Sequence, residues 1–137
     1  MSIESEILTS SHVVAVVGMS TNPERPSCRV ADYLRNYGYK IIPVNPNEKV
    51  LMNETSYPNL TAIPEPVDVV DIFRKSEDVM PVVEEAIKIK AKAVWMQEGI
   101  INEVAAEKAR EAGLKVVMNK CMRKELMKLH SEQKKQG

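Results

Sequence analysis

The stretch that decides the fold is VVAVVGMSTNPERPSCRVADYLRNYG, residues 13–38. It begins with an almost continuous apolar run, passes through a polar turn from Gly18 to Ser27, and continues with apolar residues at helical spacing over 27–37. This pattern predicts a buried strand, a turn and an amphipathic helix, which is the opening βα unit of a parallel α/β fold. A glycine-rich dinucleotide fingerprint has three glycines in such a turn, whereas this turn has one.

The alternation of strand and helix patterns continues along the chain. Runs rich in β-branched residues predict five strands, at 12–17, 40–44, 67–72, 91–96 and 115–119. Helical spacing of apolar residues predicts helices at 27–37, 77–90, 102–112 and about 121–130. A series of this kind forms right-handed βαβ units. We therefore expect an α/β domain with a doubly wound sheet of five parallel strands.

Two regions depart from this alternation. A short helix is expected before the first strand, with Ile3, Ile7 and Leu8 facing inward. Residues 45–66 contain four prolines and no sustained helical stripe. Because proline interrupts helices, we expect a loop there, with at most a short helix around 59–63.

The bulk composition limits the classes of function. The chain length allows one domain, which we assign to residues 1–130, followed by a polar tail at 131–137 that is expected to be disordered. Nineteen basic residues balance nineteen acidic ones, so no overall positive field favours nucleic acid or an anionic membrane as a partner. The acidic start of the chain is unlike a signal peptide, and no apolar run reaches the ~20 residues of a membrane span.

These features predict a cytoplasmic protein. Cys28 and Cys121 lack metal-type spacing, and in a reducing cytoplasm they are expected to be free thiols. We predict no metal site.

The turn after the first strand is the strongest candidate for a ligand site. A turn that feeds a helix N-terminus offers free backbone N–H groups and a positive dipole end. Gly18 allows close approach of a ligand to the backbone, Ser20, Thr21 and Ser27 add hydroxyls, and Arg25 adds a guanidinium suited to phosphate. These residues favour phosphate binding. The alternative is a polar loop whose hydroxyls serve only the loop itself.

The end of the second strand argues against NAD. A NAD-binding unit has a carboxylate here for the ribose, about 20 residues past its glycines, whereas this chain has Asn45 and Pro46. Asn45 can donate to an anion or a ribose, and Val44 with Pro46 offers an apolar surface for an adenine. The alternative is a plain turn, which Asn and Pro favour in any case.

The remaining strand ends offer fewer polar groups. Phe73 and Arg74 follow the third strand, where both could contact a ligand. The alternative is that Phe73 is a core residue and Arg74 a surface residue. Gln97 and Gly99 follow the fourth strand, where the floor of a crevice is expected. Cys121 follows the fifth strand and has the character of a small buried residue.

Catalytic groups are scarce in the sequence. His12 and His130 lie far from the expected crevice, and no nucleophile elbow, zinc-protease or Walker motif occurs. A phosphorylation receiver domain would need acids where this chain has Gly18 and Phe73. We predict no catalytic residue. An alternative is thiol chemistry, because Cys28 lies at a predicted helix start, where the dipole lowers a thiol pKa.

The chain resembles the small stand-alone CoA-binding domain proteins. The resemblance covers about residues 7–129 and is carried by AVVGMSTNPERPSCRVADYL, GYKIIPVNP, YPNLTAIPEPVDVVDIFRKSE and AKAVWMQEGIINEVAAEKAREAGLKVVMNKCM. These proteins are similar to the CoA-binding domain of the succinyl-CoA synthetase α subunit and of nucleoside-diphosphate-forming acyl-CoA synthetases. The resemblance implies a Rossmann-like sheet with the strand order 3-2-1-4-5.

The resemblance also implies a site for coenzyme A. The diphosphate would lie on the Gly18–Ser27 turn, the adenosine 3′-phosphate end near Asn45 and Pro46, and the pantetheine arm beside Gln97 and Gly99, with Phe73 and Arg74 flanking the cofactor. The full set of candidate contacts is Gly18, Met19, Ser20, Thr21, Arg25, Ser27, Val44, Asn45, Pro46, Phe73, Arg74, Gln97 and Gly99.

This chain departs from the family pattern at two places. Asn119-Lys120 stands where a typical member has an aspartate-arginine pair, which keeps a cation but loses an acid. Glu98 stands where many members have leucine, which adds a charge beside the expected pantetheine path.

Three classes of function remain open. The first is non-catalytic binding of coenzyme A or acyl-CoA, as a carrier, a sensor or a partner subunit. The second is a cysteine-dependent redox or thiol-transfer protein that forms a mixed disulfide with CoA. The third is an NAD(H)-sensing domain or a pure interaction module. A protein partner and a homo-oligomer are both compatible with the sequence.

Overall fold

The computed structural model of the protein describes residues 2–136. Its centre is a sheet of five parallel strands, each followed by the loop or helix that leads to the next. The chain also forms a small antiparallel hairpin in the second crossover. The strands are β1 (Val13–Val17), β2 (Lys40–Val44), the hairpin strands β3 (Val50–Leu51) and β4 (Glu54–Thr55), then β5 (Val69–Ile72), β6 (Ala93–Met96) and β7 (Lys115–Val117).

Helices cover both faces of the sheet. Their bounds are α1 (Ile3–Ser10), α2 (Pro26–Asn36), α3 (Val79–Lys88), α4 (Glu103–Glu111) and α5 (Met122–Gln136). Buried residues of α1, α2 and α5 form one core with one face of the sheet, and those of α3 and α4 form a second core with the other face. The predicted α/β class with a parallel sheet is confirmed.

The two cores explain why the first strand is apolar throughout. Val14 and Val16 belong to the core with α1, α2 and α5, whereas Ala15 and Val17 belong to the core with α3 and α4. Successive side chains of a strand point to opposite faces, so both sets of side chains in β1 face a core, and apolar residues suit every position.

The strand order is β2-β1-β5-β6-β7. The run 67–72 was expected to be the third strand and to lie beyond the second; instead β5 pairs with β1 on its other side, with Val14 opposite Val69. The position outside β2 is taken by a single parallel bridge between Val44 and Tyr57. If the segment of Tyr57 is counted as the third strand, the order begins 3-2-1-4-5, as the resemblance implies. The implied and observed orders therefore differ only in which segment is numbered third.

A half-buried carboxylate helps to place β5 beside β1. Asp68, just before β5, accepts hydrogen bonds from the backbone N–H groups of His12 and Val13 at 2.8 and 2.9 Å. Burial alone would raise the pKa of Asp68, but these N–H groups and Lys92 lower it below its usual value. The start of β1 is thereby tied to the segment that precedes β5.

Three boundaries differ from the sequence expectations. Ile3 is 40% exposed instead of facing inward, while Ile7 and Leu8 are buried as expected. The crossover over 45–66 contains the β3–β4 hairpin in addition to a short 3-10 turn at Leu60–Ala62. The last helix α5 continues through most of the segment that was expected to be a disordered tail.

The extension of α5 follows from its composition. Residues 131–136 are Ser, Glu, Gln and Lys, without a proline or glycine to end the helix, and α5 runs to Gln136. Gly137 lies outside the described residues. No helix within residues 2–136 has both the length and the apolar character needed to cross a membrane.

Candidate functional site

The candidate site lies along the edge of the sheet where the parallel strands end. Gly18, Asn45, Phe73 and Gln97 each follow directly after one of the four neighbouring strands β1, β2, β5 and β6. Strands lie about 4.8 Å apart, so these four ends span roughly 14 Å. From β1 the chain continues to β2, which pairs on one side of β1, and then crosses to β5, which pairs on the other side. The gap between β1 and β5 is therefore the switch point, where such folds bind ligands.

Gly18 contacts the strand ends on both sides of β1. Its N–H donates to the carbonyl of Val44 at 3.1 Å, and its φ is +85°, a conformation that favours glycine. A Cβ atom at this position would lie 2.6 Å from the carbonyl oxygen of Phe73 and 3.4 Å from Cδ of Arg74. No side chain fits there, so the turn packs directly on the end of β5.

Side chains of the turn hold its backbone in place. The N–H of Ser20 donates to Oγ of Ser27 at 3.0 Å, and the N–H of Asn22 donates to Oγ of Ser20 at 3.0 Å. Nδ2 of Asn45 donates to the carbonyl of Met19 at 2.9 Å, which ties the turn to the end of β2. The hydroxyl oxygens of Ser20 and Ser27 therefore accept hydrogen bonds within the turn, and each hydroxyl keeps its own O–H as a donor.

Three backbone N–H groups of the turn have no hydrogen-bond partner in the described part of the chain. Among residues 2–136, the N–H groups of Met19, Thr21 and Ser27 have no acceptor. Ser27 lies in the first turn of α2, where the helix dipole adds positive charge. Unpaired N–H groups in a turn that leads into a helix N-terminus can bind an anion.

Two guanidinium groups flank this turn. Arg25 occupies the N-cap position of α2, and Arg74 follows Phe73 beside Gly18. Both side chains are exposed, and neither has a carboxylate within 4.0 Å in the described part of the chain. The structure therefore brings Gly18 and Arg74 together at the switch point, and Arg25 lies further along the same turn, where α2 begins.

Other candidate residues are less available than the sequence suggested. The side chain of Val44 is 4% exposed and belongs to the core with α3 and α4, so it offers no surface for an adenine. The side chain of Met19 is also buried. Phe73 is half-buried against the other core, and Pro46 is exposed. Pro46 thus remains as the apolar surface at the end of β2.

Gln97 is held by a buried acid that the sequence analysis did not assign. Its Nε2 donates to Oδ1 of Asp71 at 2.8 Å, and both side chains are buried. Asp71 lies in β5 opposite Val16 and Trp95, and its Oδ2 has no hydrogen-bond partner among the described residues. Burial raises the pKa of Asp71 to about 7. The only sequence signal was the second of the two acids in the run VDVVDI, which falls inside the predicted strand.

The loop after β6 is supported by the segment after β7. The N–H of Gly99 donates to Oδ1 of Asn119 at 2.7 Å, and Nζ of Lys120 lies 2.8 Å from Glu4 of α1. Lys124 of α5 pairs with Glu98 at 3.0 Å. The two departures from the family pattern therefore have structural partners, and the charge of Glu98 is countered by a cation.

The two cysteines do not have the surroundings of reactive thiols. Cys28 and Cys121 are buried and unpaired within the described residues. Sγ of Cys28 donates to the carbonyl of Ser20 at 3.1 Å, and burial raises the pKa of this thiol. A reactive cysteine needs a lowered pKa. The sequence suggested that the helix dipole lowers the pKa of Cys28, whereas burial raises it.

The fold defines the class of the protein, a Rossmann-like α/β domain with a polar turn at its switch point. The family model described as a CoA binding domain matches residues 12–127. The chain therefore belongs to the CoA-binding domain family, and the resemblance inferred from the sequence is confirmed.

Individual proteins agree with this assignment. An uncharacterized protein of Bacillus subtilis (strain 168), YneT, is 38% identical over 118 residues, which are 86% of this chain and 87% of the relative. A hypothetical protein from Pyrococcus horikoshii OT3 has a TM-score of 0.90 and 41% identity, over 94% of this chain and 92% of that chain. The apo form of the dinucleotide forming acetyl-coenzyme A synthetase 1 of Ca. Korarchaeum cryptofilum has a TM-score of 0.68 and 28% identity, over 76% of this chain and 25% of that chain.

Replacement of Gly18 by alanine tests the close packing at the switch point. Gly113→Ala is the matched control, because Gly113 also has a positive φ but has open space around its Cβ position. We expect Gly113→Ala to lower the free energy of unfolding by about 1–2 kcal/mol through backbone strain. Gly18→Ala should cost about 1–3 kcal/mol more through overpacking. Equal losses in urea denaturation would show that the contact with Phe73 does not constrain the turn.

Replacement of Asp71 by asparagine tests its raised pKa. A raised pKa means that the folded state binds the proton more tightly, so this stabilisation is full below the unfolded value of 3.8 and is lost as the pH rises to about 7. From pH 4 to 7 the free energy of unfolding of the wild type should fall relative to D71N by an amount on the order of 4 kcal/mol. Asp78→Asn, at an exposed acid, should run parallel to the wild type. Parallel curves for D71N as well would contradict the assigned pKa.

Proposed function

We propose that this protein binds coenzyme A or acyl-CoA along the carboxyl ends of β2, β1, β5 and β6. The observation that carries this proposal is the turn at the switch point, with three unpaired N–H groups and the cations Arg25 and Arg74, in a chain of the CoA-binding domain family. Coenzyme A has a diphosphate and a 3′-phosphate, and phosphate groups bind well to such donors.

The proposed orientation follows the order of the strands. The diphosphate lies on the turn between Gly18 and Ser27, where the N–H groups of Met19 and Thr21 and the guanidinium of Arg25 face an anion. The adenosine end lies toward β2, beside Pro46, and the pantetheine arm runs toward β6. Asn45 acts by fixing the carbonyl of Met19, because its amide is engaged there and with the N–H of Asn47.

The proposed role is binding without catalysis. His12 and His130 lie outside the strand ends that form the site: His12 precedes β1, and His130 packs on Tyr37 with ring centroids 4.6 Å apart. The protein then presents or senses CoA, or supplies this surface to a partner subunit. We place this activity in the cytoplasm, where the two unpaired thiols stay reduced.

Replacement of Arg25 by alanine tests the placement of the diphosphate. A charge-assisted hydrogen bond contributes about 1.5–3 kcal/mol, so the affinity for CoA measured by isothermal titration calorimetry should fall more than tenfold. Arg110→Ala is the matched control: it removes the same charge from α4, where Arg110 contacts only Glu107 among the described carboxylates. The control should leave the affinity unchanged.

The same titrations separate the ligand classes. CoA should bind the wild type, and NADH should not, because the second strand end has no carboxylate for a ribose. Binding of NADH alone would replace the proposal with a dinucleotide sensor. Binding of neither ligand would overturn the proposed function.

A mixed disulfide with CoA is the second candidate function, because Sγ of Cys28 lies 3.1 Å from the carbonyl of Ser20 within the turn. In this reaction a thiolate attacks CoA disulfide, forms the protein–CoA disulfide and releases CoA thiolate. Burial and the raised pKa of Cys28 disfavour the thiolate. We therefore expect intact mass spectrometry to find no added CoA on the folded protein after incubation with CoA disulfide. An adduct that Cys28→Ser abolishes would favour the thiol-transfer function instead.

A further inference from the structure

Asp71 is a destabilising residue in the interior of the sheet. Its side chain is fully buried in the central strand β5, and one of its two carboxyl oxygens has no hydrogen-bond partner among residues 2–136. A buried polar atom without a partner costs about 1–3 kcal/mol, and an apolar residue of similar volume would avoid that cost. A polar group that lowers stability at such a position calls for a functional explanation.

The one hydrogen bond that Asp71 makes is to Gln97. A carboxylate oxygen accepts and does not donate, so the NH2 end of the Gln97 amide is held toward Asp71. The carbonyl end is thereby directed away from Asp71, and no donor within the described residues binds it.

The backbone of Gln97 is fixed as well. Its N–H donates to the carbonyl of Ile72 at 3.3 Å, and its carbonyl accepts from the N–H of Ile100 at 2.9 Å. Gln97 directly follows β6, two strands from the turn at Gly18. Two strand spacings are about 10 Å, a distance that an extended chain running from the turn along the strand ends would cover.

We propose that Asp71 is a positioning residue that orients Gln97 to accept a hydrogen bond from an amide N–H of the ligand's pantetheine arm. This inference rests on the proposed function, and it assigns the recognition of the arm to a pair of residues separate from the phosphate-binding turn. Asp71 itself does not touch the ligand; it acts through the orientation of the Gln97 amide.

The test compares two ligands and three variants. The ligands are CoA and adenosine 3′-phosphate 5′-diphosphate, which keeps the phosphates and lacks the arm. D71L removes the acceptor for Gln97, Q97L removes the amide, and D71N keeps an oxygen that can accept from Gln97. Circular dichroism melting checks that each variant is folded before calorimetry.

We expect D71L and Q97L to weaken CoA binding about three- to tenfold, the range for one hydrogen bond, and to leave binding of the arm-less fragment unchanged. D71N should retain most of the affinity for CoA. The double variant D71L/Q97L should lose no more than Q97L alone, because the two residues act as one unit.

Several results would overturn the inference. Equal losses for both ligands in D71L would assign Asp71 a merely structural role, and an unchanged affinity for CoA in D71L would remove the positioning role. If D71L does not fold, Q97L and D71N provide the test. The inference is wrong if Q97L binds CoA as tightly as the wild type, or if D71N binds CoA as weakly as Q97L does. Failure of the wild type to bind CoA at all would instead overturn the proposed function.

Discussion

The arrangement of the site depends on the contact between Gly18 and the end of β5. The backbone of Gly18 approaches the carbonyl of Phe73 so closely that a Cβ would lie 2.6 Å from it. This contact spans the switch point between β1 and β5, and it constrains where the backbone of the following turn lies. It also brings the stem of Arg74 beside the turn, so one packing constraint places both the backbone donors and a cation.

The turn is organised by its own polar side chains. The oxygens of Ser20, Ser27 and Asn22 accept hydrogen bonds from backbone N–H groups within the turn. These oxygens accept the backbone N–H groups, and the O–H groups of Ser20 and Ser27 stay available to donate to an anion, beside the backbone N–H and guanidinium groups. A site of this kind is rigid before the ligand arrives, which reduces the entropy lost on binding. The single glycine suffices because only one position approaches a neighbouring strand.

Local patterns were sufficient to predict the five strands of the parallel sheet and the helices that cover it, but not the β3–β4 hairpin. The apolar run in β1 and the helical spacing after it lie within one short segment, where each residue's neighbours determine its conformation. The position of β5 was harder to predict, because strand pairing is a non-local property that the order of elements does not determine. The carboxylate of Asp68 on the start of β1 is the kind of contact that decides such pairing, and it joins residues 55 and 56 positions apart in the chain.

The candidate site was predictable at the level of strand ends but not of individual side chains. Val44 and Pro46 are two positions apart, yet one is buried in the core and the other is exposed, because β2 ends between them. The pair of Asp71 and Gln97 depends on the register of β5 against β6, which places Asp71 opposite Trp95, two residues before Gln97. An acidic residue inside an apolar strand indicates that a buried polar pair exists, but it does not identify the partner residue.

The most direct measurement of the central claim is the change in backbone amide NMR shifts when CoA is added to the protein. The account predicts that the amides of Met19, Thr21 and Ser27 shift most, because their unpaired N–H groups bind the diphosphate. If CoA binds while these three amides stay unchanged and a surface away from the strand ends responds, the diphosphate does not lie on this turn, and the account is wrong.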